Sequence, residues 1–214
     1  MPISNDETIR AFFSQLSAPA AAENAAIIRN LDIKRYGINS VFANAGQQPW
    51  PGQTTIPRVL ANGSTPTLTT ARLQLTRFTA TRTELVSAIA VTGRTAAVGA
   101  TVIRYGVYTI DNTTGDFTLV ASTPNDTALL AAVNTRYSKA LSAAYVLIGG
   151  QDYALGVIVS AATTLPIVAG QTYVAADLQS LPVPSLHVAA ADLPATQTLA
   201  GCTASTMLVY AELT

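Results

Sequence analysis

The chain has 214 residues, with 12 Lys+Arg against 12 Asp+Glu, one His, one Cys and one Trp; 11% of it is charged and 49% hydrophobic. Soluble domains carry about 25% charged residues. The balance therefore excludes a disordered chain, which is charge-rich and apolar-poor, and a basic nucleic-acid binder, which needs surplus Lys and Arg. A single Cys202 and a single His187 exclude a disulfide framework and a His/Cys zinc site.

Neutral residues supply the polarity instead. The sequence holds 29 Thr and 37 Ala, and β-branched Thr favours strands, so the composition leans towards an all-β body. The length suits one domain with an appendage, and a chain this long buries about 70% of its unfolded surface without a metal or disulfide. Charge is segregated along it: residues 1–139 hold twelve bases and eight acids, net +4, whereas 140–214 hold four acids and no base, net −4. The tail cannot form salt bridges within itself, so apolar burial and neutral hydrogen bonds must hold it. Either the whole is a Thr- and Ala-rich sandwich, or its halves face different neighbours, or copies pack head to tail.

Residues 1–35 read as a helical segment. Ser4 and Glu7 have capping-box spacing, and Ile9, Phe12, Phe13 and Leu16 form one apolar stripe. Pro19 opens or breaks the next turn, and Ala20 to Leu31 continues with Ile27, Ile28 and Leu31 on one face. The acidic start, Met1 to Glu7, is not a secretory signal. Residues 36–70 have no period and are punctuated by Gly37, Asn44-Ala45-Gly46, Pro49-Trp50-Pro51-Gly52, Pro57, Asn62-Gly63-Ser64 and Pro66. Such a stretch reads as an extended arm or linker.

From residue 71 to 214 the pattern is β. Leu73 and Leu75 alternate with Arg72, Gln74 and Thr76, which predicts a strand with one wet face. Leu85, Ser87, Ile89 and Val91 are assigned to one face of the next. A loop is expected over Arg94 to Gly99, a strand over Thr101 to Ile110, a turn over Asp111 to Asp116 and a strand over Phe117 to Ser122. Further strands are expected near 139–148, 153–161, 172–176, 185–190, 196–199 and 203–212. Residues 153–176 carry no charge, but Leu165-Pro166 and Gly170-Gln171-Thr172 divide them into two strands and a turn, with no membrane-inserted helix. Many short strands between turn signals indicate an antiparallel β-sandwich of jelly-roll type.

Val102-Ile103-Arg104-Tyr105-Gly106-Val107-Tyr108, a polar turn and Phe117-Thr118-Leu119-Val120 are one part of a familiar layout. Gly150-Gln151-Asp152-Tyr153-Ala154-Leu155-Gly156-Val157 and the closing Tyr210-Ala211-Glu212-Leu213 are the other. Over residues 70–214 this resembles the β-sandwich domain of tailed-bacteriophage virion structural proteins of tail-fibre, minor tail or head-fibre type. The resemblance implies a structural, non-enzymatic role in the virion, assembled in the host cytoplasm, with an N-terminal segment that fastens the subunit to the particle. It implies no catalytic residue, cofactor or metal.

The candidate sites are few. His187 has no triad partner at suitable spacing, Cys202 reads as a packed thiol, and Asp111, Asp116, Asp126 and Asp152 sit at turns that Asp favours. No phosphate loop, HExxH or GxSxG occurs. Trp50, between two prolines, is suited to anchor in a neighbouring pocket or to pack on its own sandwich. The eight Tyr are assigned mainly to core and rim rather than to sugar stacking. Ile9, Phe12, Phe13, Leu16 and Trp50 are the candidate assembly contacts. The expected partners are copies of the chain itself, as a homotrimer, other virion proteins and a host surface glycan, with no nucleic acid. A tail-associated role leads; a capsid decoration or head-fibre protein, a glycan-binding or glycan-degrading tail-spike module, and a cellular carbohydrate-binding module are the alternatives.

Overall fold

The computed structural model describes residues 52–61, 66–172 and 184–214. Their elements in chain order are β1 (Gln53–Thr54), a 3-10 turn (Arg58–Leu60), β2 (Arg72–Thr79), β3 (Glu84–Thr95), β4 (Val98–Ile110), β5 (Phe117–Ser122), β6 (Thr135–Leu147), β7 (Asp152–Thr164), β8 (Ile167–Val168), β9 (Gly170–Thr172), β10 (Ser185–Ala189), β11 (Thr196–Gln197), a second 3-10 turn (Leu199–Gly201), β12 (Thr203–Ala204), β13 (Met207–Val209) and β14 (Ala211–Leu213). Every pairing among the named strands is antiparallel, as a β-sandwich requires. One sheet runs β1-β14-β3-β6, with β8 also on β3; the larger runs β11-β5-β4-β7-β2-β10-β12; β13 and β9 form a small third ladder.

The centre of the large sheet is buried on both faces. Along β7 every residue from Tyr153 to Val159 is buried. One face sends Ile103, Tyr105, Val107, Tyr153, Leu155, Val157 and Val159 against Val86, Ile89, Val91, Leu141 and Leu147 of the smaller sheet. The other face sends Leu73, Leu75, Tyr108, Ile110, Ala154, Ile158 and Leu186 against Leu193, with Leu199 and Cys202 beside them. A strand covered on both sides reads as a continuous apolar run rather than as an alternation. That explains the uncharged stretch after Asp152, whose described part forms β7, β8 and β9.

The covering segment 190–202 is fastened by polar contacts. Arg104 Nη1 donates to both Asp192 oxygens, at 2.8 and 2.7 Å, and its Nε donates to Thr123 O at 3.0 Å. Tyr108 Oη donates to Pro194 O at 3.1 Å, and the Leu199 amide donates to Asp116 Oδ1 at 2.8 Å. The Asp111–Asp116 turn forms as expected: Asp111 Oδ1 accepts from the Thr113 and Thr114 amides, and Gly115 takes φ +78.

Local features differ from the sequence expectation, and the strand expected near 203–212 is split into β12, β13 and β14 in three different ladders. Gln74 and Thr76 are buried, not wet. Gln74 Nε2 donates to Ser185 Oγ at 2.6 Å, Ser205 Oγ at 3.0 Å and Met207 O at 3.0 Å, while the Val209 amide donates to Thr76 Oγ1 at 3.0 Å. A buried amide is tolerable only when bonded in this way. In β3, Leu85, Ser87, Ile89 and Val91 do not share a face. The amides of Ser87 and Ala88 both donate to Thr214 O, at 2.6 and 2.8 Å, and the register against β6 breaks between Val86 and Ala88. The bulge turns Val86 inward and leaves Leu85 and Ser87 exposed. The expected loop over Arg94 to Gly99 shrinks to Ala96 and Ala97 between β3 and β4.

The described part of the expected arm belongs to the sandwich. β1 pairs with β14; Ile56 and Ala61 pack with Ala169 and Tyr210; Leu68 enters the main core. The body therefore starts near Gly52 rather than at residue 71, and the compact unit spans Pro51–Thr214. The helical segment 1–35 and the arm up to residue 51 lie outside the described residues.

Tyr105 is fully buried, and among the described residues its hydroxyl has no hydrogen-bond partner. Burial pushes its ionisation far above the ordinary phenol range. An unmade bond leaves a desolvation cost with no return, so Tyr105→Phe is expected to raise the unfolding free energy by about 1 kcal/mol. Denaturant titration at neutral pH measures this, and a loss of stability would contradict it.

Candidate functional site

None of the candidate chemical residues is assembled into a reactive cluster in the described part of the chain. His187, on β10, faces Gln74 of β2 and Thr203 of β12. Burial first, and the Arg72 charge second, lower its pKa, which favours the neutral imidazole at pH 7. Cys202 ends the second 3-10 turn and donates its thiol to Thr198 O at 3.4 Å. Burial pushes that thiol up, against a nucleophilic thiolate. Among the described tyrosines, Tyr105, Tyr108, Tyr153 and Tyr210 are buried and Tyr137 and Tyr145 half-buried. Phe78 stacks on Tyr153 at 5.9 Å and Tyr145 meets it edge-on at 6.3 Å, so these rings build core rather than a sugar platform. Tyr36, Tyr173, Ile9, Phe12, Phe13, Leu16 and Trp50 lie outside the described residues.

Each described acid has a structural partner. Asp152 accepts from Thr79 Oγ1 at 2.5 Å, and Asp126 accepts from the Ala128 amide and from Lys139 Nζ at 2.7 Å. Glu84 pairs with Arg82, Asp192 with Arg104 and Glu212 with Arg136. Glu212 is nearly buried; its Oε1 accepts from Tyr210 Oη at 2.9 Å and its Oε2 from Arg136 Nε at 2.7 Å. Beside this carboxylate, and with burial the larger cause, the Tyr210 hydroxyl is pushed well above its ordinary value.

The surface worth attention is at the open side of the smaller sheet. Among the described residues the other outermost strands are short: β1, β8, β11 and β12 have two residues each, β9 and β13 three. Short edges resist pairing with another chain. β6 has 13 residues and, among the described residues, pairs only with β3. Around it stand large exposed apolar residues. Leu85 is 61% exposed and lies opposite Val146, itself 44% exposed; Ile148 follows at 48%, and Val133, just before the strand, is at 60%. Ser138, Ala140, Ser142, Ala143 and Ala144 are exposed and small, so the strand presents a low, neutral ridge.

Both charges on β6 are matched within the chain, Arg136 by Glu212 and Lys139 by Asp126, each at 2.7 Å. Sequence alternation missed the exposure of Leu85 because the bulge changes which residues of β3 point outward. The one signal was the spacing of Val86 and Ile89, three apart where a regular strand requires two or four.

The Lys139 hydrogen bond, followed by the Ala128 amide, holds the Asp126 carboxyl below its ordinary value of 3.8. A depressed folded value stabilises above the unfolded pKa, about 3.9, and that contribution is lost as pH falls through the folded value. Lys139→Met is expected to return the Asp126 titration towards its ordinary value and to move acid unfolding to higher pH. Carboxyl-detected NMR titration checks this; an unchanged Asp126 curve would contradict it.

No family model and no curated protein matches the chain.

Proposed function

We propose that the chain is a non-enzymatic structural subunit of a tailed-bacteriophage virion, tail-associated as a fibre, tail-tip or minor tail protein. The observation that carries the assembly part is the exposed Leu85, Val146 and Ile148 at one end of β6, with exposed Val133 before its other end, along an edge that is unpaired among the described residues. Large exposed apolar residues on a sandwich with a core of its own mark a face that a neighbour covers. The low charge, 11%, agrees with a subunit whose surface is largely shared. The virion part rests on the resemblance of the 102–120, 150–157 and 210–213 segments to phage sandwich domains. The structural bonding of the acids supports a binding role over glycan hydrolysis, which needs two carboxylates free to face a substrate.

In this reading residues 1–51 fasten the subunit to the particle while the sandwich makes lateral contacts. Each contact is modest, and repetition by symmetry multiplies them. Host-glycan binding would be a further task of the same projecting body.

Mass spectrometry of purified particles, separated into heads and tails, tests the reading. The chain is expected in the tail fraction, and a chain lacking residues 1–51 is expected to fold but be at least tenfold depleted from particles. Recovery in heads would replace the tail assignment with capsid decoration. Absence from both would overturn the virion reading.

A further inference from the structure

We propose that the β6 edge is a homotypic interface at which two copies of this chain pair β6 against β6, antiparallel, about a two-fold axis. This deepens the assembly reading above and rests on it for its biological setting. An exposed edge extends a sheet by taking up a further strand, and the partner must present an edge of comparable length. Among the described strands the other outermost ones have two or three residues, so a head-to-tail contact between copies has no second edge to use. Only β6 matches β6, and a patch that matches itself generates a closed two-fold pair rather than a ring or filament.

The charge pattern fits the same arrangement. β6 keeps continuous register with β3 from Thr135 to Ala140. A two-fold axis normal to the sheet keeps each face on its own side, so residues pair with partners of the same facing. With the axis at Ser138, Arg136 opposes Ala140, Tyr137 opposes Lys139 and Ser138 opposes its own copy. No like charges stand directly opposite; the two Lys139 residues are diagonal neighbours, and both β6 charges are already matched within their own chain.

The arrangement makes a charge-specific prediction. Ser138 is exposed, and Ser138→Glu would place two carboxylates on the axis, with Cβ atoms about 5 Å apart. Ala140→Glu would instead place each new carboxylate opposite Arg136 of the other copy. Sedimentation velocity of the full chain is expected to give twice the 22.2 kDa chain mass for the wild type and for Ala140→Glu. Ser138→Glu is expected to dissociate at least about tenfold more readily, with an unchanged unfolding midpoint showing that it still folds.

A monomeric or trimeric wild type would overturn the proposal, as would dissociation of both variants alike or of neither. A wild type that is monomeric alone and covered at β6 only by a different virion protein would also overturn it. None of these outcomes touches the virion reading, which falls only if the chain is missing from purified particles.

Discussion

The burial of β7 on both faces is the constraint on which the rest of this sandwich depends. Seven successive residues, Tyr153 to Val159, are out of water, and each fully buried aliphatic or aromatic side chain contributes about 1.5–3 kcal/mol. That arrangement requires a cover on each side. The smaller sheet is one cover, and the non-repetitive segment 190–202 is the other. A segment with so little ladder of its own is held by specific bonds: Arg104 to Asp192, Tyr108 to Pro194, Asp116 to Leu199. With the centre of the large sheet enclosed, the one long edge unpaired among the described residues is that of β6, on the smaller sheet.

The opposite net charges of the two parts of the chain acquire a local meaning. Arg104 and Arg136 come from the base-rich part, Asp192 and Glu212 from the base-free tail, and the structure pairs them within one body. The segregation therefore does not require the halves to face different neighbours. Exposed pairs contribute little, about 0–1 kcal/mol. Glu212 differs because it is nearly buried and also bonded to Tyr210, so removing Arg136 would strand a carboxylate. Elsewhere the tail is held as its composition requires, by neutral hydrogen bonds: Gln74 joins Ser185, Ser205 and Met207, and Thr55 bridges Val209 and Ala211.

Much of the fold was legible in the sequence. The hairpin from Thr101 to Ser122 follows from β-branched runs flanking an Asp-Asn-Thr-Thr-Gly-Asp turn, because both signals are local. What escaped depends on distant partners. Gln74 looks solvent-facing until Ser185 and Ser205 arrive more than 100 residues later. The β3 bulge needs the C-terminal Thr214 carbonyl, which no local period encodes. The two-residue β1 ladder and the burial of Leu68 likewise depend on β14 and the main core, so residues after Gly52 resembled an arm. The exposed apolar residue Leu85 was illegible for the same reason: it faces outward only because that bulge lies beside it.

Among the described residues, β6 is the one long strand edge that the sandwich leaves unpaired. Residue-resolved amide hydrogen exchange at low and high protein concentration tests it directly. Amides of β7 should exchange slowly in both conditions. The β6 amides not bonded to β3 should exchange fast when dilute and become protected as concentration rises. Protection of those amides that is already complete when dilute, or that never changes, would contradict an open edge built for another copy of the chain.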